Sequence, residues 1–202
     1  ADYLKRAARE EDPNVEDYET IHKEAERCEN IVRRMLDFAN PNVRSLEDFD
    51  LAQLTEEVVN FVFNQKGGRD IQVLFEAEPR LPDIQGDPAQ IKQVILNVCM
   101  NARQVLQSEK TKGKVEVRVR QLPGPRAPLE VTIHDNGPGI SPEDADTAFE
   151  PFFTRRAGGT GLGLAITRRI VEAHDGTIEI WPAANGGTTC AITLPIADEE
   201  EM

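Results

Sequence analysis

The sequence predicts an α/β fold that follows a long helix of the coiled-coil type, and three observations support this prediction. Residues 1–40 contain no glycine and carry a heptad pattern of apolar residues. From residue 45 onward, helical and strand patterns alternate and are separated by glycine and proline turns. Hydrophobic residues make up 39% of the 202 residues, which is enough for a sizeable core. We therefore divide the chain into residues 1–44, residues 45–197 and an acidic tail at 198–202, which we expect to be disordered.

The long helix is predicted from a seam of apolar residues spaced alternately three and four positions apart. This spacing is the a/d register of a heptad and indicates a helix that buries a narrow stripe against other helices. Asn40-Pro41 ends the helix, because proline disfavours helical geometry in the residue before it. A shorter helix over residues 1–9 is separated from it by a break that includes Pro13. The seam consists of Tyr18, Ile21, Ala25, Cys28, Val32, Met35 and Ala39.

The mixed region after residue 45 contains three predicted helices. Asp50 is placed to cap a helix that runs to about Phe63. Asp87-Pro88 combines an N-cap with proline at the first helical position and opens a helix to about Gln107. Residues 161–174 form the third helix, after a long loop over 136–160. The predicted strands cover residues 71–77, 114–121, 129–134, 176–181 and 188–194.

Charge and composition exclude several classes of function. The formal net charge of -13 repels a nucleic-acid backbone, so we expect no nucleic-acid partner. No apolar run approaches the roughly 20 residues that a membrane helix needs. The three cysteines are far apart and show no C-x-x-C spacing, which argues against disulfides and zinc. We therefore expect a cytoplasmic location.

Two glycine-rich segments point to a nucleotide. Asp135 ends a strand and is followed by Asn-Gly-Pro-Gly139, so that one carboxylate can hold an adenine amino group. The cluster from Gly159 to Gly163 opens a helix and can wrap phosphates with backbone N–H groups. It matches neither a P-loop nor the G-x-G-x-x-G fingerprint. An ordinary Asp-Asn-Gly turn and a glycine hinge in a lid are the alternative interpretations. Together the two segments argue for ATP.

The helix after Asp87 carries Asn97 and Asn101, which lie one turn apart on the same face. Their amide oxygens can hold a Mg²⁺ ion that stays largely bound to water and phosphate. The alternative is a pair of surface asparagines. The residues predicted to be buried beside them are Ile91, Val94, Ile95, Val98 and Val105.

Taken in order, these elements resemble the catalytic and ATP-binding domain of histidine kinases in the GHKL superfamily. Asn97–Asn101 is similar to the N box, and Asp135–Gly139 is similar to the G1 box. Phe149–Phe153 is similar to the F box, Gly159–Gly163 to the G2 box, and Asn185–Thr188 to the last glycine motif. The resemblance covers roughly residues 46–195. It implies a Bergerat fold, a two-layer α/β sandwich with a mixed sheet on one side and three helices on the other.

The resemblance also implies roles for individual residues. Asp135 would bond the adenine amino group with support from Thr188 through water, and Asn101, helped by Asn97, would hold Mg²⁺. Arg155 or Arg156 would reach the γ-phosphate, and Asn97, Asn101 and Arg156 form the implied catalytic set. The remaining residues implied to contact the nucleotide are Gly137, Gly139, Ile140, Phe153, Gly159, Thr160, Gly161, Leu162 and Gly163.

By the same resemblance, residues 1–44 correspond to part of the dimerisation and phosphotransfer hairpin. The phosphoacceptor box of type H-E/D-x-x-x-P is absent, so we expect a fragment that binds ATP without phosphorylating itself. His22 flanks the seam, whereas His134 and His174 are interpreted as structural, with the helix dipole favouring a partly charged His174. The implied partners are the protein's own phosphotransfer helix and a response-regulator receiver domain. A homodimer, with or without a membrane anchor, is implied for the full-length kinase.

A kinase of the anti-sigma or mitochondrial dehydrogenase type is a rival within the superfamily, although the heptad helix that leads into the domain favours the two-component arrangement. Two other functions remain open. The gyrase, MutL and chaperone branch of the superfamily hydrolyses ATP and is expected to use a glutamate where this chain has Asn97, and an amide cannot act as a base toward water at neutral pH. A non-catalytic ATP-binding scaffold is the second alternative. It would show no dependence of ATP binding on Mg²⁺.

Overall fold

The computed structural model describes residues 17–26, 28, 46–64, 71–108, 112–155 and 159–197. The chain forms two compact units, residues 1–40 and residues 41–202. In the first unit residues 17–26 are helical, as the heptad pattern predicts for this stretch. The predicted helix over residues 1–9, the seam from 32 to 39 and the tail at 198–202 lie outside the described residues. Among the described helices, none combines the length and the apolar character needed to cross a membrane.

The second unit is built around a mixed sheet. Its described strands are β1 (Glu47–Phe49), β2 (Gln72–Ala77), β3 (Ile84–Gly86), β4 (Lys114–Gln121), β5 (Leu129–Asp135), β6 (Thr177–Pro182) and β7 (Thr188–Leu194). The main sheet has the order β2-β4-β5-β7-β6, in which β2 and β4 are parallel and the other pairs are antiparallel. β5 is therefore the central strand.

The described helices of this unit are α1 (Leu51–Phe63), α2 (Pro88–Ser108), α3 (Pro142–Thr147) and α4 (Gly163–Ala173). α2 packs against both α1 and α4, and helices of this set also contact β2, β5, β6 and β7. The expected sandwich of a mixed sheet and three main helices is thus confirmed. Four of the five residues predicted as the buried stripe of α2, from Ile91 to Val98, are buried, and each contributes roughly 1.5–3 kcal/mol. Val105 is only half-buried, and it faces Gly137 in the loop after β5.

Both predicted aspartate caps are present. The Asp50 carboxylate accepts a hydrogen bond from the Gln53 backbone N–H at 2.9 Å at the start of α1. The Asp87 carboxylate accepts from the backbone N–H groups of Ala89 and Gln90 at the start of α2. These caps satisfy N–H groups that have no partner within the helix. The start of α2 therefore follows directly from local sequence.

Three short elements were not predicted from the sequence. β1 and β3 pair with each other as a separate antiparallel ribbon of three residues each. α3 has six residues, none of them buried, and is capped by the Ser141 hydroxyl. Elements of this length carry too few residues for a hydrophobic period, so the sequence pattern does not reveal them.

Candidate nucleotide-binding site

Asp135 lies at the last position of β5 and is only 7% exposed. Side chains alternate between the two faces of a strand, so Asp135 shares the face of the buried residues Leu129, Val131 and Ile133. Its Oδ1 atom accepts a hydrogen bond from the Gly137 backbone N–H at 2.9 Å. This bond orients the carboxylate, which can accept up to about four hydrogen bonds in total.

The loop after Asp135 is closed by glycine backbone. Gly187 precedes β7 with a φ of +85°, and a Cβ atom placed there would lie 1.7 Å from the Asp135 carbonyl oxygen. Gly139 has a φ of +86°, and a Cβ atom on it would lie 3.0 Å from the Gly187 carbonyl oxygen. Thr188, the next residue, pairs with Asp135 across the β5–β7 ladder. The tertiary structure thus brings together the G1 segment and the last glycine motif.

The α2 helix forms one wall of the site. A Cβ atom on Gly137 would lie 2.8 Å from the Val105 Cγ1 atom, so α2 closely approaches the loop that follows Asp135. Asn97 and Asn101 lie on the preceding turns of α2, and both are half-buried. Two amide oxygens one helical turn apart are hard donors that suit a Mg²⁺ ion keeping several water and phosphate ligands. The residues present therefore fit the metal that the motifs imply.

The side chain of Asn97 reaches the neighbouring helix. Its Nδ2 atom lies 3.4 Å from the Gly163 carbonyl oxygen and 3.3 Å from the Thr167 Oγ1 atom. Gly163 is the first residue of α4, so this contact joins the predicted N box to the end of the second glycine cluster. Thr167 was not identified as a site residue from the sequence, because nothing in the helical pattern distinguishes it.

The glycine cluster leaves the backbone at the start of α4 accessible. Leu162, at the N-cap, has no polar side chain, and the first turn contains no acidic residue. A Cβ atom on Gly163 would meet no other atom within 4 Å. The first-turn N–H groups, at the positive end of the helix dipole, can therefore receive a phosphate. Gly161 has a φ of +65° and accepts a hydrogen bond from the Phe152 backbone N–H at 3.0 Å.

Arg155, one of the two arginines that the resemblance implies for the γ-phosphate, is paired with an acidic side chain in this structure. The Arg155 Nη2 atom lies 2.7 Å from Asp144 Oδ1 on α3, and its Nε atom also donates to that carboxylate. This hydrogen bonding, together with the negative charge of Asp144, raises the pKa of Arg155. The guanidinium also lies 6.0 Å from the centre of the Phe153 ring. Arg156 lies outside the described residues.

The remaining predicted contacts lie on the loop between β5 and α4. Ile140, Phe153 and Thr160 are half-buried, Gly159 is exposed and Leu162 is buried. Phe152 is 62% exposed and has a φ of +69°, so this aromatic of the F box is not packed into the core. The Phe149 ring lies 5.6 Å from the guanidinium of Arg168 on α4.

The histidines of this unit have structural partners. His174 is buried, its Nδ1 atom lies 2.8 Å from the Ile170 carbonyl oxygen, and its Nε2 atom accepts from the Asp87 backbone N–H at 3.0 Å. A nitrogen that accepts cannot also carry a proton, so the ring is neutral with its proton on Nδ1. The expectation of a partly charged His174 was therefore wrong, because it considered the helix dipole without the N–H donor of Asp87, just before α2. The Nδ1 atom of His134 lies 3.2 Å from the Thr189 hydroxyl.

Comparisons with known proteins agree with this geometry. Residues 86–198 match the family described as "Histidine kinase-, DNA gyrase B-, and HSP90-like ATPase". The chain is 34% identical to the sensor histidine kinase ZraS of Escherichia coli (strain K12) over 178 residues, which are 88% of this chain and 37% of ZraS. It is 38% identical to the sensory histidine kinase/phosphatase NtrB of Vibrio alginolyticus over 195 residues, covering 92% of this chain and 54% of NtrB. The chain thus spans about half or less of the length of these relatives.

The fold is similar to that of a solved catalytic domain. The nucleotide-free catalytic domain of the histidine kinase ThkA superposes with a TM-score of 0.64 at 29% sequence identity. The match covers 75% of this chain and 95% of that domain. The similarity therefore accounts for nearly the whole of a known kinase domain.

Proposed function

Because the chain belongs to the family of histidine kinase-, DNA gyrase B- and HSP90-like ATPases, we propose that its second unit binds ATP with Mg²⁺ and presents the γ-phosphate to a histidine on a helical hairpin. The phosphoryl group would then be relayed to an aspartate of a response-regulator receiver domain. The observation that carries this proposal is the buried carboxylate of Asp135, which the backbone N–H of Gly137 orients. Gly187 lies so close to the Asp135 backbone that no side chain fits at position 187. ZraS and NtrB, whose names describe them as histidine kinases, support the kinase branch.

Each part of the site has a task in this proposal. Asp135 accepts the adenine amino group, with Thr188 beside it on β7. The first turn of α4 binds the phosphates through N–H groups, and the amide oxygens of Asn97 and Asn101 hold Mg²⁺, which supplies charge neutralisation when bound. Arg155 or Arg156 adds a cation at the γ-phosphate. Positioning and charge then account for most of the catalysis.

Phosphoryl transfer is favoured over hydrolysis by the identity of residue 97. A carboxamide cannot take a proton from water at neutral pH, so water near Asn97 is not activated. A histidine imidazole needs little activation and attacks the phosphorus directly. The expected partners are the protein's own hairpin, in the same or the second subunit of a homodimer, and a receiver domain. A cytoplasmic location is part of this proposal.

Nucleotide binding is tested by calorimetric titration of ATP with and without Mg²⁺, on the parent and on Asp135→Asn. The asparagine can keep the bond from Gly137 through Oδ1 but presents an NH₂ group in place of the second oxygen, which opposes the adenine amino donor. Losing a hydrogen bond to a charged group costs about 1.5–3 kcal/mol, or roughly 10- to 150-fold in affinity. Asp146→Asn, an exposed position on α3, is the matched control and should bind as the parent does. Equal affinities for Asp135→Asn and the parent would contradict the proposed adenine contact.

Phosphotransfer is tested by mixing the protein, labelled ATP and a separate hairpin that carries the phosphoacceptor histidine. We expect label on the hairpin histidine. Label on His22, which lies 3.2 Å from Glu26, would overturn the assignment of the phosphoacceptor to another segment. Release of inorganic phosphate without the hairpin would favour the ATPase alternative, and binding of ATP without any effect of Mg²⁺ would favour the scaffold alternative.

A further inference from the structure

Thr167 occupies an unusual position between two walls of the site. It is fully buried on α4, and its hydroxyl donates to the Gly163 carbonyl oxygen at 2.8 Å. The same hydroxyl lies 3.3 Å from the Asn97 Nδ2 atom, which is itself 3.4 Å from the Gly163 carbonyl oxygen. Three polar groups from two helices therefore meet at the first turn of α4.

The direction of each hydrogen bond in this group follows from chemistry. The Gly163 carbonyl can only accept, so both the Thr167 hydroxyl and the Asn97 amide must donate to it. The hydroxyl oxygen keeps a lone pair that accepts from the same Asn97 NH₂ group. The Asn97 NH₂ group therefore faces α4, and its Oδ1 atom lies on the other arm of the carboxamide. A donor is thus required at position 97 in addition to the oxygen that suits a metal.

A second threonine shows what is particular to Thr167. Thr55 on α1 is also fully buried and also donates to the carbonyl four residues earlier, at 2.7 Å to Leu51. This bond within one helix is an ordinary way to satisfy a buried hydroxyl. For Thr55, the described bond stays within α1, whereas Thr167 also engages a side chain of α2. The hydroxyl of Thr167 therefore couples two helices that a valine of the same shape would leave joined by apolar contact alone.

We propose that Thr167 is a positioning residue that, through Asn97 and the Gly163 carbonyl, fixes the first turn of α4 against α2. The backbone N–H groups of that turn are thereby held in the orientation that receives the phosphates. The inference rests on the proposed nucleotide binding and adds a residue to it. Loss of the Thr167 hydroxyl should weaken only the phosphate contacts. These contacts depend on the hydrogen bonds among Thr167, Asn97 and the Gly163 carbonyl, whereas the adenine contact is made by Asp135 on β5.

The test compares Thr167→Val, Thr167→Ser and the matched control Thr55→Val. Affinities for ATP and for adenosine are measured by competition against a fluorescent ATP analogue, and folding is followed by urea unfolding. Loss of one or two neutral hydrogen bonds predicts a roughly five- to tenfold weaker affinity of Thr167→Val for ATP, with adenosine affinity unchanged. Thr167→Ser should restore ATP affinity. Thr55→Val should lose stability while binding ATP as the parent does.

A double-mutant cycle tests the link to Asn97. In an Asn97→Ala background, Thr167→Val should cause little further loss of ATP affinity, because the shared group is already broken. The same fold-loss in both backgrounds would overturn the inference. So would a Thr167→Val protein that binds ATP within twofold of the parent, or one that loses ATP and adenosine affinity by the same factor. A parent protein that binds no ATP would instead overturn the proposed function.

Discussion

Replacement of Gly187 by alanine should both destabilise the second unit and weaken ATP binding. Gly187 has a φ of +85°, and the added Cβ would lie 1.7 Å from the Asp135 carbonyl oxygen. The neighbouring Gly186 has a φ of +89°, but a Cβ atom added there would meet no other atom within 4 Å, so Gly186→Ala is a matched control. The two variants share the backbone strain and differ in the close approach to β5.

The magnitude can be worked out from these distances. A left-handed conformation costs an alanine about 1–2 kcal/mol, and this is the whole expected loss for Gly186→Ala. In Gly187→Ala the separation must also grow from 1.7 Å to more than 3.0 Å, and only backbone can move. Overpacking of this kind adds about 1–3 kcal/mol, so the total loss is about 2–5 kcal/mol. The same displacement moves Asp135 away from its place beside Thr188.

Two assays check the prediction. Urea unfolding of the parent and both variants gives the loss of stability, provided that the slope m is unchanged. Titration with ATP should show a roughly 10- to 150-fold weaker affinity for Gly187→Ala, since the hydrogen bond that the Asp135 carboxylate is proposed to accept from the adenine amino group is lost. Equal unfolding free energies for the two variants, or parent-like ATP binding by Gly187→Ala, would refute the argument from close approach.

Three further predictions follow from side-chain geometry. Asp144→Asn should release Arg155 from its ion pair and tighten binding of ATP, measured by titration, with ADP as the ligand that lacks the γ-phosphate. Burial raises the pKa of Cys99 and Cys190 to about 12 from an ordinary 9.0, so the unfolded chain releases these protons near pH 9 while the folded chain retains them. The free energy of unfolding should therefore fall as the pH rises from 9 to 12, by on the order of 1 kcal/mol per pH unit for each thiol, as followed by urea unfolding. His174→Ala should cost about 2–4 kcal/mol in urea unfolding, because it opens a cavity and leaves the buried backbone N–H group of Asp87 without its acceptor.

Two of these predictions have a control variant, and each of the three has an outcome that would contradict it. Asp146→Asn should leave ATP affinity unchanged, and an equal change in ATP and ADP affinity in Asp144→Asn would contradict the release of Arg155. The variant with alanine at both Cys99 and Cys190 should show a shallower loss of stability above pH 9, and an identical slope would contradict the thiol assignment. Below pH 9 that contribution is constant, because both thiols are protonated in both states. For His174→Ala, a loss below about 0.5 kcal/mol would contradict the role of its ring.

Much of the site could be identified before the structure because it rests on local chemistry. Asp135 ends a strand with an alternating pattern and is followed by a turn that contains Gly-Pro-Gly. Both features can be recognised from about ten residues of sequence. The aspartate caps at Asp50 and Asp87 are similarly local, since a cap bonds N–H groups two or three residues away. The family resemblance inferred from the order of these motifs is confirmed by the match over residues 86–198. The roles of individual site residues remain predictions.

Other features could not be obtained from the sequence. Arg155 was expected at the phosphate, and nothing in the motif indicated that Asp144 lies close enough to pair with it. The neutral state of His174 depends on a donor 87 positions earlier in the chain. The role inferred for Thr167 likewise depends on Asn97, which lies on another helix.

The order of the three main helices and of the five strands of the main sheet, and the membership in an ATPase family, were determined by the sequence itself, because backbone preferences and hydrophobic periods act over a few residues. The tertiary structure decided which donor meets which acceptor across α2, α4 and β5. Hydrogen bonds act over about 3 Å and depend on direction, so their partners are set by how the helices pack and not by their spacing along the chain.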